Sequence, residues 1–375
     1  MAESSNSGKN ILVIAGGNYI SGAEKVTLDV IQGLKNSGHR LTCAVSGWTD
    51  GEFIKQLSDM KVGFRKFKLG WYYLTNLKWS VDSLIHYPGA FLDFYQFSKA
   101  TNFDLVYTMS FRYLVLLYPI LRNNVIYHVH DPNSHSRQSR FFIKKIDRKV
   151  VKYIAVSDFI KKDLIKCGIS AGKIEVIHNG TNVIEDKRLV VGKQGNNLAI
   201  GIVGQVIQRK GHEDLIEALK ILRDQNLNVS LIIVGKGSKS FIGDLKELIS
   251  KYNLASCISW RTFKSDIHEI YEGIDVIVAP TRNDEPFALI ALEANMLSIP
   301  VIATNKGGFP ESINDGVNGF LVKANSPEQI AEKICTFYND RSLITKFGNN
   351  GRSRMIERFT KQKMIAGVNE LITIF

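Results

Sequence analysis

Arg209 and Lys210 stand side by side between Gly204 and Gly211, just past an apolar run at Leu198 to Val203. A glycine behind a strand lets the backbone approach a phosphate closely. An adjacent guanidinium and ammonium supply fixed charge, the first bidentately and the second as a point charge. When a diphosphate departs, negative charge grows on its oxygens, and cations in a dry cleft stabilise that transition state. Read alone, the same motif also suits a solvated basic loop. Farther on, Glu285-Pro286-Phe287-Ala288-Leu289-Ile290-Ala291-Leu292-Glu293 sets one carboxylate in a loop after a strand and a second about two turns into the next helix. A carboxylate accepts paired hydrogen bonds from a diol. Two acids also suggest a glycosidase pair, but that reading leaves the cations and the glycine loops without a role.

The first half carries two further groups. Gly16-Gly17 follows an apolar run, and Ser21-Gly22-Ala23-Glu24 opens a helical pattern whose free N–H groups favour an anion. The spacing is not that of a dinucleotide fingerprint, and a plain strand–helix loop fits the same residues. In Tyr127-His128-Val129-His130-Asp131-Pro132 the period of two puts His128 and His130 on one face of a strand, and Asp131-Pro132 ends it. A histidine at a strand's carboxyl end can bond sugar hydroxyls. A metal site needs a third ligand, which no recognisable spacing supplies; a structural histidine pair stays open.

These groups need elements to position them. Apolar runs rich in β-branched residues at Asn10 to Ala15, Leu41 to Val45, Asp104 to Thr108, Val125 to Val129, Tyr153 to Val156 and Ile174 to Ile177 read as buried parallel strands. Helical spacing follows the first of them from Gly22 to Ser37, stopped by Gly38. A polar stretch with clustered Gly and Asn, Glu185 to Asn197, reads as a linker. Strands then resume at Leu198 to Val203, Val229 to Val234, Cys257 to Trp260, Val276 to Ala279 and Pro300 to Ala303, with helices between. The pattern predicts two doubly wound α/β domains with ligands outside the carboxyl ends of their strands, in a cleft between them. The expected division is 1–185, 186–357 and a last helical piece, 358–375, packing back on the first domain.

Composition narrows the partners. A formal net charge of +12 and a pI near 9.3 favour anions of some kind. No helix-turn-helix, RNA-recognition or zinc signature accompanies that charge, so no nucleic acid is expected as a partner. The four cysteines, Cys43, Cys167, Cys257 and Cys335, are far apart and read as reduced thiols. Residues Met1 to Lys9 are polar, and no apolar run reaches the length of about 18 residues that spans a membrane. A cytoplasmic protein is expected, free or peripheral on the inner membrane face. For that surface two segments qualify: Lys61 to Ser80, basic and aromatic without acids, and Arg137 to Lys152, with Arg140, Lys144, Lys145, Arg148 and Lys149. An aromatic core strip with solvated charges fits them equally.

Taken in order, the pieces resemble the family 4 retaining glycosyltransferases of GT-B fold over nearly the whole chain. They are Gly22-Ala23-Glu24, His130-Asp131, Ala155-Val156-Ser157, Val176-Ile177-His178-Asn179-Gly180, Gly204 to Gly211, Ile232-Ile233-Val234-Gly235, Glu285 to Glu293 and Gly307-Gly308-Phe309-Pro310-Glu311. The resemblance implies two Rossmann-like domains and a nucleotide diphosphate sugar, UDP- or GDP-linked, as donor. The acceptor would be a glycan or a lipid-linked glycan, in the synthesis of surface polysaccharide or glycoconjugate. It implies retention of configuration with no cofactor and no obligate metal; no Asp-x-Asp occurs. Arg209 and Lys210 would bind the diphosphate, Glu293 the ribose, and Glu285 would face the sugar near its anomeric carbon. Main-chain groups from Phe287 through Ala288 to Leu289 would touch sugar or phosphate. Gly204 and Gly235 would line the donor side, His130 would contact the sugar, and Gly22 would lie against the diphosphate or the acceptor. An epimerase or hydrolase of nucleotide sugars with the same fold is the alternative. Two departures stand out: Ala288 and Thr262 each replace a frequent glycine, the second near the expected base.

Overall fold

Ile11 to Ala15 are buried along their length, as befits a strand with both faces covered. They belong to β1 (Asn10–Ala15), an interior strand of a seven-stranded parallel sheet ordered β3-β2-β1-β4-β5-β6-β7. The other members are β2 (Arg40–Ser46), β3 (Gly63–Phe67), β4 (Leu105–Thr108), β5 (Val125–Val129), β6 (Val150–Ala155) and β7 (Ile174–Val176). Between them run α1 (Gly22–Asn36), α2 (Glu52–Asp59), α3 (Leu77–Ala100), α4 (Phe111–Leu117), α5 (Arg137–Ile146) and α6 (Asp158–Lys166). Serines at the strand–helix joints set where helices begin. Ser110, Ser136 and Ser157 each accept the third N–H of α4, α5 and α6 through the side-chain oxygen. Ser157, which the resemblance singles out, is thus a helix cap.

A six-stranded parallel sheet follows, ordered β10-β9-β8-β11-β12-β13. Its strands are β8 (Leu198–Val203), β9 (Val229–Val234), β10 (Ile258–Arg261), β11 (Val276–Ala279), β12 (Val301–Thr304) and β13 (Gly319–Val322). Its helices are α7 (His212–Asp224), α8 (Lys239–Lys251), α9 (Ile267–Tyr271), α10 (Leu289–Met296), α11 (Phe309–Ser312), α12 (Pro327–Asn339) and α13 (Ser342–Arg358). The last helix, α14 (Lys361–Ile374), closes the chain. This computed structural model describes residues 8–15, 17, 20, 22–70, 77–185, 196–264 and 266–375. Gly16, Ser21 and most of the predicted linker lie outside the described residues.

The chain divides into one unit of Met1–Asn179 with Lys361–Phe375 and a second of Gly180–Thr360. The division therefore precedes the polar linker, and the reason is local. The Thr181 N–H donates to the Phe359 carbonyl at 3.0 Å, and Ile184 packs against the second core. The sequence reading did not separate out β3 or β13, because each is a short edge strand with few fully buried positions. The basic aromatic stretch from Lys61 is divided by its surroundings. Phe67 is buried edge-on against Phe94 at 5.1 Å, while Arg65 lies over the Phe67 and Phe97 rings. Residues 71–76 of that stretch lie outside the described residues.

The C-terminal helix belongs to the first core. Met364, Val368, Leu371 and Ile372 join Val26, Val30 and Leu34 of α1 in one buried cluster. Lys361 pairs with Asp29, and the Asn369 amide oxygen meets His39 Nε2 at 2.9 Å. Removing a fully buried aliphatic side chain loses its transfer energy and leaves a cavity. Ile372→Ala should lower stability by about 3 kcal/mol, read as a shift of the denaturant midpoint of the first unit; an unchanged midpoint would mean that α14 contributes nothing to that core.

Candidate active site

Strand order reverses between β8 and β11, and the carboxyl end of such a switch point is where doubly wound sheets bind ligands. The loop after β8 carries Arg209 and Lys210 in a short 3-10 turn, and the loop after β11 carries Glu285. The structure brings the three side chains together. Lys210 Nζ lies 2.8 Å and Arg209 Nη1 3.5 Å from the same Glu285 oxygen, Oε2. Lys210 and Glu285 are largely shielded from solvent, whereas Arg209 is 43% exposed. Two cations against one carboxylate leave a local excess of one positive charge, which attracts an anion without leaving the carboxylate unpaired.

Backbone geometry locks the two loops to each other. The Arg282 N–H donates to the Arg209 carbonyl at 2.9 Å. The Arg282 guanidinium forks onto Asp214 at 3.0 and 2.7 Å and reaches Glu213 at 3.3 Å, both in the first turn of α7. Lys306 Nζ donates to the Arg282 carbonyl at 3.0 Å, and the Gly308 N–H to that of Glu285 at 2.7 Å. Gly307 has φ +58°, and a Cβ there would sit 2.1 Å from the Glu285 carbonyl oxygen, so only glycine lets the loop after β12 support Glu285 this closely. Arg282, Asp214 and Lys306 were not singled out from the sequence. Their partners are distant in the chain, and nothing in a single sequence pairs Arg282 with Asp214.

Gly204 and Gly235 end β8 and β9 and lie backbone to backbone. The Gly204 N–H donates to the Val234 carbonyl at 2.9 Å, and a Cβ on Gly235 would lie 1.8 Å from the Gly204 oxygen. Ala288, just before α10, has φ −81° and ψ 82°, which alanine adopts without strain. Phe287 is buried, its ring centroid 5.7 Å from that of Phe359. The Leu289 N–H is bonded to the Phe287 carbonyl at 3.0 Å. Glu293 accepts from the buried Tyr271 hydroxyl at 2.9 Å on Oε2. Thr262 lies exposed just after β10.

Gly22 and His130 belong to the first unit, where Gly22 opens α1 in an exposed position. A cavity of about 1030 Å³ lies there at the carboxyl ends of β1, β2, β4 and β5, lined among others by Glu24, Trp48, Arg112, Tyr127, His130 and Asp131. His128 and His130 do share a face, with ring centroids 4.6 Å apart. Burial pushes the His130 imidazole down to about 4, so it is neutral at pH 7 and offers one donor and one acceptor. Its Nε2 is buried and has no hydrogen-bond partner among the described residues. His128 is fully buried and held by a 2.6 Å hydrogen bond between its Nδ1 and the Tyr107 hydroxyl. Asp163 on α6 holds the loop that follows. Its carboxylate accepts from the Asn133 N–H at 2.6 Å and the Ser134 N–H at 3.2 Å. That role, too, has no sequence signal, since Asp163 reads as an ordinary helix carboxylate.

Two doubly wound parallel sheets, each with its polar side chains at the carboxyl ends of the strands, define the GT-B class of fold. Residues 20–184 match the family model described as Glycosyltransferase Family 4, and residues 183–354 match that described as Glycosyl transferases group 1. The chain belongs to this glycosyltransferase family. Among curated relatives, it is 29% identical over 241 residues to the capsular polysaccharide biosynthesis glycosyltransferase CapM of Staphylococcus aureus, spanning 60% of this chain and 63% of that protein. It is 30% identical over 238 residues to an uncharacterized glycosyltransferase of Methanocaldococcus jannaschii, with 63% of each chain covered. The matched stretches thus span less than two thirds of these relatives. Among solved structures, Anabaena HepE, described in complex with UDP and glucose, superposes with a TM-score of 0.81 at 22% identity, covering 98% of this chain and 100% of HepE. A Rickettsia africae glycosyltransferase superposes with a TM-score of 0.81 at 24% identity, covering 97% of each. At these identities the structural likeness concerns the fold.

The Arg282–Asp214 fork generates a test. Asp214 keeps only 6% of its side chain exposed, so losing its cation strands a buried charge. Arg282→Ala should destabilise the second unit by about 3 kcal/mol in denaturant titration, and Arg282→Lys should recover only part of that because an ammonium cannot reproduce the fork. Full recovery with Lys would show that charge alone, not the planar fork, matters.

Proposed function

We propose that this chain transfers a sugar from a nucleoside diphosphate sugar to a glycan or lipid-linked acceptor, with retention of configuration and without a metal. The observation that carries the reading is the meeting of Lys210, Arg209 and Glu285 at the switch point of the second sheet. Lys210 and Arg209 take up the charge that appears on the diphosphate as the bond from the sugar's anomeric carbon to its oxygen breaks. The acceptor oxygen forms the new bond on the same face, and its proton passes to the departing phosphate oxygen. Glu285 stands beside the anomeric centre and opposes the cationic character that develops there. Glu293 holds the ribose hydroxyls. Gly204, Gly235 and the main chain at Phe287 to Leu289 lie along the donor. His130, neutral and with an unbonded Nε2, is suited to a sugar hydroxyl rather than to a phosphate. The capsular and lipopolysaccharide names among the relatives favour a polysaccharide or glycoconjugate acceptor.

With a panel of UDP- and GDP-sugars and a glycan acceptor, Glu285→Ala and Lys210→Ala should each cut turnover by about a hundredfold or more, with no loss on adding a chelator and with the donor's anomeric configuration kept in the product by NMR. Near-normal turnover in both variants would defeat the site. Nucleotide release without acceptor would point to the hydrolase or epimerase alternative.

We also infer that the first unit docks on an anionic membrane from its cytoplasmic side. Val81, Leu84, Ile85, Leu92 and Tyr95 recur at helical spacing on the exposed surface of α3. Exposed Arg140, Lys144 and Lys145 flank exposed Phe141 on α5. Apolar and cationic side chains together suit an interfacial contact with acidic lipid. The full chain should co-sediment with vesicles containing phosphatidylglycerol in preference to phosphatidylcholine alone, less so at high salt, and Ile85→Glu with Leu92→Glu should weaken it. Equal recovery with both vesicle types would rule the docking out.

A further inference from the structure

We propose that Tyr271 is a positioning residue that sets the selectivity of the nucleotide site for a ribose over a deoxyribose; the inference rests on the reading of Glu293 as the ribose-binding carboxylate. Tyr271 ends α9, its side chain is 2% exposed, and its ring packs in the core cluster that also holds Ala288, Ala291 and Ala294 of the 288–296 turn and helix. From there its hydroxyl reaches Glu293 Oε2 at 2.9 Å. Burial, reinforced by the Glu293 charge, pushes the phenol well above its ordinary range, so it is a protonated donor at pH 7.

The geometry matters because a glutamate has freedom that a diol cannot tolerate. A carboxylate that must accept two hydrogen bonds from neighbouring hydroxyls needs its plane fixed as well as its position. Glu293 stands on α10, only half-buried, and the helix alone fixes its Cα and Cβ but not the terminal torsion, which is broad. A phenol held rigidly in the core and bonded to one carboxylate oxygen selects one orientation of that plane. Hydrogen bonds to a charged group contribute more than neutral ones, on the order of tenfold in affinity when the bond is lost. A bond between two groups of the protein that fixes the carboxylate acts by preorganisation.

The inference separates from a merely structural role through hydroxyl-dependent binding. Calorimetric dissociation constants would be measured on the full-length protein for UDP and GDP and for their 2′,3′-dideoxy forms. In the parent the ribonucleotide should bind more tightly than its dideoxy form, and Glu293→Ala should abolish that preference. Tyr271→Phe should reduce the preference about tenfold while leaving the dideoxy affinity unchanged, which also reports that the variant is folded. If Tyr271→Phe keeps the parent's preference while Glu293→Ala loses it, Tyr271 positions nothing and the inference falls alone. If Glu293→Ala keeps the preference as well, the reading of Glu293 falls and takes the inference with it.

Discussion

The ion pair between Lys210 and Glu285 is the contact on which the second unit's carboxyl-end geometry depends. Its partners are borne by loops from two strands that are adjacent in the sheet but far apart in sequence. Left to themselves, two loops would sample many separations, and a cation and a carboxylate on them would be mutually placed only part of the time. The surrounding bonds remove that freedom. Arg282 joins the loop after β11 to the first turn of α7, Lys306 holds the Arg282 carbonyl, and Gly307 lets the loop after β12 press against Glu285. A charged site costs least to use when its dipoles need no reorganisation. The chain spends an arginine, a lysine and a glycine on that condition.

The first unit solves a different problem. Its polar side chains face a broad cavity and carry little fixed positive charge at the histidine end. Burial keeps both His128 and His130 neutral. A neutral imidazole can give and take a hydrogen bond, which matches hydroxyls, whereas an imidazolium can only give. The histidine at the strand tip is oriented from behind by its neighbour His128, itself held by Tyr107, and the loop beyond is tied down by Asp163.

Basic and aromatic residues next to each other in sequence served two purposes that spacing could not distinguish. Phe67 went into the core, and its neighbour Arg65 lies over aromatic rings. On α3, by contrast, large apolar residues stayed at the surface. Which aromatic is buried depends on what packs opposite, here Phe94 and Phe97 of a helix some thirty residues on. That information is non-local.

What the amino-acid sequence determined on its own was the alternation. Runs such as Leu198 to Val203 and Val276 to Ala279 are apolar at successive positions, and only a strand covered on both faces accommodates that. The glycines, cations and carboxylates at the ends of those runs were legible too, because loops after parallel strands must surface at the sheet's carboxyl edge. Strand order was not. That β8 lies between β9 and β11, and so sets the Lys210 and Glu285 loops side by side, follows from how helices cross over the sheet. Nor could spacing show that Tyr271 meets Glu293 or that Arg282 meets Asp214. Such pairings arise when the core closes, since burial then demands a partner for each polar atom. They were decided by tertiary structure alone.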